Sequence, residues 1–250
     1  MNNYYSIIAP AKLNLNLFVK GKAENGLHFL ESDIFFLELT DKIFFKFNKN
    51  DIFLQNKTNR SLQINTKCNL ILESLNAFRQ ITGWNKKFQI YLDKNIPIGA
   101  GLGGGSANAA ATLILLRNLF NKEKKSNKIS ISNLYKIGNK LGSDIPACLE
   151  SKSLRLIGYG DKITRNKFLK NYYYLLVNPN IKLSTKEVFS TYKYFSNKKL
   201  TDDKVFFEDI FIYNSLLSSA ISLAPQISFI LSIIKNIPGV VAYGMSGSGS

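Results

Sequence analysis

The first part of the chain alternates apolar and polar residues with the two-residue period of a β-strand. Residues 11–19 show this alternation, and residues 34–39 and 43–47 are rich in aromatic and β-branched side chains. A further alternating run covers residues 88–92. We therefore expect residues 4–60 to be rich in β-structure and a separate strand to lie at 88–92.

Other segments carry apolar residues at the three- and four-residue spacing of a helix. They are residues 69–81, with Gly83 after the last turn, residues from about Ser106 to Phe120, and residues 133–141. Glycine is common just beyond the last turn of a helix, so Gly83 predicts where the first of these helices ends.

The uncharged run of residues 210–234 is long enough to cross a bilayer. Pro225 interrupts it, however, and its amide and hydroxyl side chains would be costly in hydrocarbon. Two soluble helices fit this run better, with Pro225 in the first turn of the second. The apolar stripe of that second helix would consist of Ile227, Ile230, Leu231 and Ile234.

Short apolar runs at residues 154–157, 173–177 and 240–243 predict further strands. Strands and helices then alternate irregularly along the chain, without the regular strand–helix repeat of a doubly wound parallel sheet. This order of elements predicts an α+β protein.

The composition of the 250 residues is that of a globular protein. Hydrophobic residues make up 45% and charged residues 20%, with a mean hydropathy of −0.05, which excludes disordered, collagen-like and coiled-coil chains. His28 is the only histidine. Metal sites that need several histidines are therefore excluded as well.

Two features predict a cytoplasmic protein. The two cysteines are too few for a disulfide framework, which indicates a reducing compartment. The apolar stretch Tyr4–Ala9 is too short for the core of a signal peptide, and no basic residue precedes Lys12.

The chain carries a large positive charge. Its 33 Lys and Arg residues against 17 Asp and Glu residues give +16 at pH 7. Nucleic acid, an anionic membrane and a polyanionic small substrate would each suit such a charge. A composition rich in lysine, asparagine and isoleucine also produces this surplus without a functional cause, so charge alone does not choose among them.

The strongest chemical signal is the glycine-rich run at residues 97–108, between the predicted strand at 88–92 and the alanine-rich helix. Glycines leave backbone N–H groups accessible, and at the start of a helix these groups suit an anion such as phosphate. A flexible linker would not lie between a strand and an apolar helix. A Walker A loop is excluded because Gly105 and Ser106 follow where its lysine should be. A Rossmann loop is disfavoured because residues 93–97 separate the strand from the glycines.

Three other motifs are weaker when taken alone. Lys12 and Asn14, in the motif at residues 9–14, share the polar face of a strand, as ordinary surface residues also do. Asp144 precedes Ile145-Pro146, where a simple turn or helix cap is the alternative. The glycine- and serine-rich ending at residues 245–250 has a frayed tail as its alternative.

Together the four motifs resemble the GHMP kinase superfamily. They read Pro-Ala-Lys-Leu-Asn, Pro-x-Gly-x-Gly-Leu-Gly-Gly-Gly-Ser-x-Asn, Leu-Gly-Ser-Asp-x-Pro and Met-Ser-Gly-Ser-Gly. Gly26-Leu27-His28, Asn178-Pro179, Ser184-Thr185 and Asn214 resemble the branch that acts on a cytidine-diphosphate-linked methylerythritol. The resemblance implies an α+β, two-domain GHMP kinase fold. Its N-terminal ATP-binding domain, residues 1–153, would be ribosomal protein S5 domain 2-like, and its C-terminal domain, residues 154–250, ferredoxin-like and apparently truncated.

The resemblance also implies a function: ATP-dependent phosphorylation of a hydroxyl of that compound, in non-mevalonate isoprenoid precursor biosynthesis. Asp144 would be the catalytic base and Lys12 its charged partner. These roles suit their chemistry, because a carboxylate can accept the proton of an alcohol and a lysine can keep that carboxylate ionised. The partners would be ATP, with Mg²⁺, and the small-molecule substrate, with no nucleic acid and no membrane. No oligomeric state is indicated.

The remaining site residues are also carried over from the resemblance. ATP would be bound by Lys94, which would lie near the adenine, and by Pro97, Ile98, Gly99, Ala100, Gly101, Leu102, Gly103, Gly104, Gly105, Ser106 and Ala107. The substrate would be bound by Asn14, Leu27, His28, Thr185 and Phe189, with His28 and Phe189 on the cytosine. No protein ligand to a metal is assigned, since Ser106 has no identifiable carboxylate partner.

The sequence departs from the superfamily branch at two places. Leu27 stands where an aromatic residue usually forms half of the cytosine sandwich, and the chain stops at Ser250 where relatives continue. The alternatives are a GHMP kinase of the homoserine or mevalonate type and a non-catalytic basic nucleotide- or RNA-binding module. Gly26-Leu27-His28 disfavours the first alternative, and the presence of both Asp144 and Lys12 disfavours the second.

Overall fold

The computed structural model describes residues 4–24, 26, 28–56, 69–159, 162–165, 172–181, 183–192, 205–207 and 210–249. The strands are β1 Tyr5–Asn14, β2 Asn16–Lys22, β3 His28–Asn48, β4 Ile52–Gln55, β5 Lys87–Asp93, β6 Leu154–Gly158, β7 Lys162–Arg165, β8 Val205–Phe207 and β9 Ile210–Asn214. The helices are α1 Leu70–Thr82, α2 Gly104–Glu123, α3 Ile131–Leu141, α4 Ile145–Glu150, α5 Thr185–Thr191, α6 Leu217–Leu223 and α7 Gln226–Lys235.

The chain forms two units, and each is assembled from separate stretches of sequence. The first contains Met1–Lys12, Phe36–Ile98 and Gly103–Ser151, and the second contains Leu13–Phe35, Gly99–Leu102 and Lys152–Ser250. The long strand β3 therefore contributes to both. The predicted domain boundary between residues 153 and 154 stays a prediction.

In the first unit, helices pack on a small mixed sheet. The second half of β3 pairs antiparallel with β5, from Lys42 opposite Asp93 to Asn48 opposite Lys87, and β4 pairs parallel with β5. Apolar residues of β5 alternate with more exposed ones, so Phe88, Ile90 and Leu92 are buried in the same core as residues of α1 to α4. The strand predicted at 88–92 is thereby confirmed.

The ends of α1 show how local sequence sets its length. Asn69 caps the helix, because its Oδ1 accepts a hydrogen bond from the Ile71 N–H at 2.9 Å. At the other end Gly83 adopts φ +66°, a left-handed conformation that favours glycine, and its N–H bonds to the Arg79 carbonyl. Both the helix and its end at Gly83 are as predicted.

In the second unit, β2 and the first half of β3 pair antiparallel, and β6 extends the sheet beside β3. β7 pairs with β6, while β9 pairs parallel with β2 and antiparallel with β8. The core of this unit joins β2 to α5, α6 and α7 through Leu17, Val19, Val188, Leu216, Ala220, Ala224, Ile227 and Met245. Irregular alternation of strands and helices and mixed strand pairing confirm the α+β prediction.

Several predicted elements differ from those observed. Residues 173–177 and 240–243 form no strand, because an apolar run becomes a strand only beside a partner strand. Tyr173 and Leu175 are largely exposed. Residues 210–214 form β9 rather than a helix, as their β-branched and aromatic side chains favour. Residues 34–39 and 43–47 belong to the single strand β3, and the alternation at 11–19 is broken between β1 and β2.

The later helices follow the prediction more closely. Pro225 is the residue that caps α7 rather than one in its first turn, and the predicted stripe of α7 is its less exposed face. Within the described part of the chain, no helix combines the length and the apolar character that crossing a bilayer requires.

Candidate active site

The glycine-rich loop has a backbone that depends on glycine. Gly99, Gly101 and Gly103 adopt φ values of +76°, +68° and +64°, with residues of ordinary conformation between them. Such alternation turns successive N–H groups toward one side, where they can surround an anion. α2 begins directly after Gly103, and its first turn contains no acidic residue. The first N–H groups of α2 lack acceptors within the helix and carry the positive end of its dipole, so the loop suits a phosphate chain.

The predicted catalytic residues contact each other in the first unit. Lys12 Nζ lies 3.2 Å from Asp144 Oδ2, and the lysine side chain is 7% exposed whereas that of Asp144 is 42% exposed. Asp144 occupies the position before α4, but its side chain makes no capping hydrogen bond. The alternative of a simple helix cap therefore does not describe Asp144, whose carboxylate is directed at Lys12 and remains open to solvent.

Lys12 packs against the end of the glycine loop. A Cβ atom placed on Gly103 would lie 2.6 Å from Lys12 Cγ and 3.1 Å from its Cε. Only a glycine leaves room for the lysine stem there, and the positive φ of Gly103 favours glycine independently. Gly103, at the end of the loop, is thus fitted to Lys12 within the first unit.

Cys148, one turn into α4, is not a candidate nucleophile. It is buried, and burial raises the pKa of its thiol well above the ordinary range; the charge of Asp144 raises it further and that of Lys12 lowers it. A thiol with a raised pKa stays protonated and unreactive near neutral pH.

Asp41, which the sequence analysis did not single out, is a buried carboxylate that bonds to residues on both sides of the glycine loop. Asp41 is 0% exposed, and it accepts hydrogen bonds from the backbone N–H groups of Asn95 and Ile96, each at 2.8 Å. Its other oxygen accepts from Lys94 Nζ at 2.7 Å and from Asn108 Nδ2 at 2.9 Å. Lys94 is buried and also donates to the Ile96 carbonyl, and burial lowers its pKa although Asp41 acts to raise it. A contact between Lys94 and adenine stays a prediction.

In the second unit, buried hydrogen bonds fix the predicted substrate residue Asn14. Its Nδ2 donates to Ser32 Oγ at 2.7 Å, and Ser32 Oγ donates to the Asn16 carbonyl at 2.5 Å. The backbone N–H of Asn14 donates to Ser246 Oγ at 2.9 Å. The orientation of the Asn14 amide is therefore set by the serine hydroxyl beside it.

The ending at residues 245–249 is an ordered turn rather than a frayed tail. Asn214 Nδ2 donates to the carbonyls of Met245 and Gly247 at 2.9 and 2.8 Å. A Cβ on Gly247, which has φ +62°, would lie 3.3 Å from the Gly101 carbonyl oxygen, so this turn packs closely on the glycine loop. Thr185 Oγ1 and Ser248 Oγ share a hydrogen bond at 3.0 Å, which attaches the start of α5 to the same turn.

The predicted cytosine residues are also brought together in the second unit. The rings of His28 and Phe189 lie with centroids 4.5 Å apart and planes inclined by 34°. Burial lowers the pKa of His28 below its ordinary 6.5, and the charge of Lys22, the residue opposite it on β2, lowers it further. Leu27 lies outside the described residues.

Comparison with known proteins agrees with this geometry. Residues 69–152 match the family described as the GHMP kinases N terminal domain. The 4-diphosphocytidyl-2-C-methyl-D-erythritol kinase of Ruthia magnifica is 33% identical over 244 residues, which cover 97% of this chain and 83% of that protein. The protein of the same name from Anaplasma phagocytophilum is 35% identical over 260 residues, 98% of this chain and 83% of its own. The chain belongs to the 4-diphosphocytidyl-2-C-methyl-D-erythritol kinase family of GHMP kinases.

The fold of a solved member of this kinase family agrees with that assignment. A crystal structure of 4-(cytidine 5'-diphospho)-2C-methyl-D-erythritol kinase superposes with a TM-score of 0.75 at 25% identity, covering 98% of this chain and 88% of that one. The predicted GHMP kinase fold is therefore confirmed. The chain covers 83% of the length of each of the two relatives named above, so it is shorter than they are.

The residues of the site that the sequence predicted are those that belong to recognisable motifs. Lys12, Asp144, His28 and Phe189 stand in or beside recognisable motifs and lie in mutual contact as pairs. Asp41 and Ser32 belong to no motif, because they act through partners distant in sequence. An aspartate inside a long strand is unfavourable for β-structure, and this was the one signal that could have indicated Asp41.

Proposed function

We propose that this protein transfers the γ-phosphoryl group of ATP to a hydroxyl of 4-diphosphocytidyl-2-C-methyl-D-erythritol. The observation that carries the proposal is the Lys12–Asp144 pair fitted beneath the end of a phosphate-type glycine loop, in a chain of this kinase family. Membership of this family establishes an ATP-dependent small-molecule kinase. The residue roles below are inferred from geometry and charge.

Asp144 would act as the base. Its solvent-open carboxylate can accept the proton of the acceptor hydroxyl as that oxygen attacks the γ-phosphorus and the bond to ADP breaks. Lys12, held in place by burial and by Gly103, would orient the Asp144 carboxylate and offset negative charge that develops on the transferred group. A buried lysine with little freedom suits this task because it needs no reorganisation during the reaction.

The loop at residues 97–107 would bind the phosphates of ATP. Backbone N–H groups turned by Gly99, Gly101 and Gly103 and the start of α2 provide the donors. The open space around Gly99, where a Cβ would meet nothing within 4 Å, leaves room for a phosphate. These features fit the phosphates of the nucleotide.

Mg²⁺ would enter with ATP rather than occupy a separate protein site. Among the described residues no cluster of three or more His, Cys, Asp or Glu side chains could hold an ion, whereas Mg²⁺ in kinases is bound largely by nucleotide phosphates. The Ser106 hydroxyl, in the first turn of α2, would supply an oxygen donor beside the phosphates. Bound there, Mg²⁺ would neutralise charge on the transferred phosphoryl group.

The acceptor would be recognised by residues of the second unit. His28 and Phe189 provide a hydrogen-bonding ring and an aromatic face for the cytosine, and Asn14 and Thr185 provide polar groups anchored by Ser32 and Ser248. With the pKa of His28 lowered, its imidazole is neutral near pH 7 and offers one donor and one acceptor to a base edge. Because the reaction uses ATP and a phosphorylated metabolite, we expect it to occur in the cytoplasm.

Steady-state ADP formation with three acceptors tests this proposal. We expect turnover with 4-diphosphocytidyl-2-C-methyl-D-erythritol and none above background with homoserine or mevalonate. Turnover with homoserine or mevalonate alone would replace this function with that of another GHMP kinase. ATP binding without transfer to any of the three would support a nucleotide-binding module instead.

A further inference from the structure

We propose that Asp41 is a positioning residue that fixes both ends of the glycine loop and thereby sets the affinity for nucleotide. The inference rests on the proposed function only in that residues 97–107 bind the phosphates of ATP. Asp41 itself lies in β3 with 0% exposure, so it acts through the residues that it holds rather than by touching the nucleotide.

The carboxylate holds the first end of the loop. β5 ends at Asp93, which is opposite Lys42, so Asp41 lies next to the point where the chain leaves the sheet. Beyond that point the ladder provides no acceptors, and Asp41 Oδ1 accepts the N–H groups of both Asn95 and Ile96 at 2.8 Å. The Lys94 N–H donates to Asn56 Oδ1 and Asn95 Nδ2 donates to the Thr40 carbonyl, so Asp41 shares in holding this segment and is the acceptor for its last two N–H groups.

The same carboxylate holds the other end of the loop. Asn108, one turn into α2, donates its Nδ2 to Asp41 Oδ2 at 2.9 Å. The Oδ1 of Asn108 is buried without a hydrogen-bond partner among the described residues, which carries a free-energy cost. The charge-assisted bond to Asp41 must outweigh that cost, so it determines how the amide, and with it the first turn of α2, is oriented.

Lys94 makes this arrangement compatible with an anionic ligand. An uncompensated carboxylate behind the start of α2 would oppose the positive potential that attracts phosphate. Lys94 Nζ lies 2.7 Å from Asp41 Oδ2 and directly beneath Gly104, where a Cβ would be 3.2 Å from it. The pair is therefore neutral overall at a buried position, and Asp41 can anchor the loop without repelling the nucleotide.

Calorimetric titration with ADP tests the role of Asp41, because ADP binding does not require the acceptor to be known. Asp41→Asn removes the charge, and Asn108→Ala removes only the anchor to α2. Each variant removes a charge-assisted hydrogen bond that holds the loop, so we expect it to weaken ADP binding by about 10- to 100-fold. The KM for the acceptor should stay near its wild-type value in both.

Asp33→Asn is the matched control, since Asp33 is likewise buried and bonded to an asparagine and to Arg155, but in the second unit. It should lower the unfolding temperature and leave ADP affinity unchanged. Unchanged affinity in folded Asp41→Asn would overturn the inference, and so would an equal loss in Asp33→Asn. If Asp41→Asn does not fold, Asn108→Ala decides by the same criterion. Wild-type protein that binds ADP but phosphorylates no acceptor would refute the proposed function and leave this inference standing.

Discussion

Lys12 Nζ lies 3.2 Å from Asp144 Oδ2, and the lysine is the buried member of the pair, with 7% of its side chain exposed against 42% for the aspartate. In most ion pairs at protein surfaces both partners are mobile and the energetic gain is small. Here the lysine is immobilised by the Gly103 backbone, so it presents a fixed charge to a carboxylate that can reach a substrate. The asymmetry suits a base that must meet its acceptor and a cation that must not move.

Asp144→Asn tests the assignment of the base. An amide cannot accept the proton, so we expect kcat to fall by about 10²–10⁴-fold, the usual contribution of a positioned base, with ATP binding retained. Lys12→Ala should be similarly damaging, and the double variant should be little worse than either single one because the residues act as a unit. Strictly additive losses in kcat/KM would show that the two serve separate steps.

Gly103→Ala tests the fit between the loop and Lys12. The new Cβ would displace the lysine stem, and a non-glycine residue at this φ costs about 1–2 kcal/mol of folding free energy. We expect the loss of stability together with a fall in kcat. Gly83→Ala is the control, because its φ of +66° carries the same strain but its Cβ would meet nothing within 4 Å. If both variants lose stability equally and neither loses activity, the packing on Lys12 has no catalytic role.

The pH dependence of acceptor binding tests His28. Its pKa lies below 6.5, so the imidazole is neutral above that pH and becomes charged only as the pH falls through the lowered value. Because the pKa of His28 is lower in the folded state than in the unfolded state, the unfolded state binds the proton more readily. The contribution of His28 to stability is therefore present above pH 6.5 and is lost as the pH falls through the lowered pKa. We expect the acceptor KM to be constant from pH 8 to 6.5 and to rise below it, with no such rise in His28→Asn. A midpoint above pH 6.5 would contradict the assignment.

Ser32→Ala tests the support of Asn14. The variant removes the acceptor for Asn14 Nδ2 and one donor to the Asn16 carbonyl, a loss of about 1 kcal/mol per hydrogen bond. We expect a lower kcat/KM for the acceptor with an unchanged KM for ATP. Ser222→Ala, which removes only a hydroxyl bond to the Ser219 carbonyl within α6, should leave both parameters unchanged. A parallel rise of both KM values in Ser32→Ala would indicate general loss of structure.

The features that sequence predicted well are those written locally. The end of α1 at Gly83 and the glycine-rich run before α2 each depend on a few neighbouring residues. The Lys12–Asp144 contact joins residues far apart, and it was reached through resemblance rather than from spacing.

What sequence did not predict depends on distant partners. Asp41 is bonded to Lys94 and Asn108, 53 and 67 positions further along, and nothing in its neighbourhood indicates either. The apolar run at 173–177 has the composition of a strand but does not form one. Residues 210–214 do form a strand, because they pair with β2. In both cases the outcome was decided by tertiary pairing and not by propensity.

The central claim is most directly tested by competition among acceptors. Equal concentrations of 4-diphosphocytidyl-2-C-methyl-D-erythritol, homoserine and mevalonate are incubated together with the protein and ATP labelled in its γ-phosphoryl group, and the labelled products are separated. The account predicts label in the phosphorylated cytidine compound alone, and its loss when Asp144→Asn replaces the wild type. Label in phosphohomoserine or phosphomevalonate, or label in the cytidine compound that persists at the wild-type rate in Asp144→Asn, would contradict it.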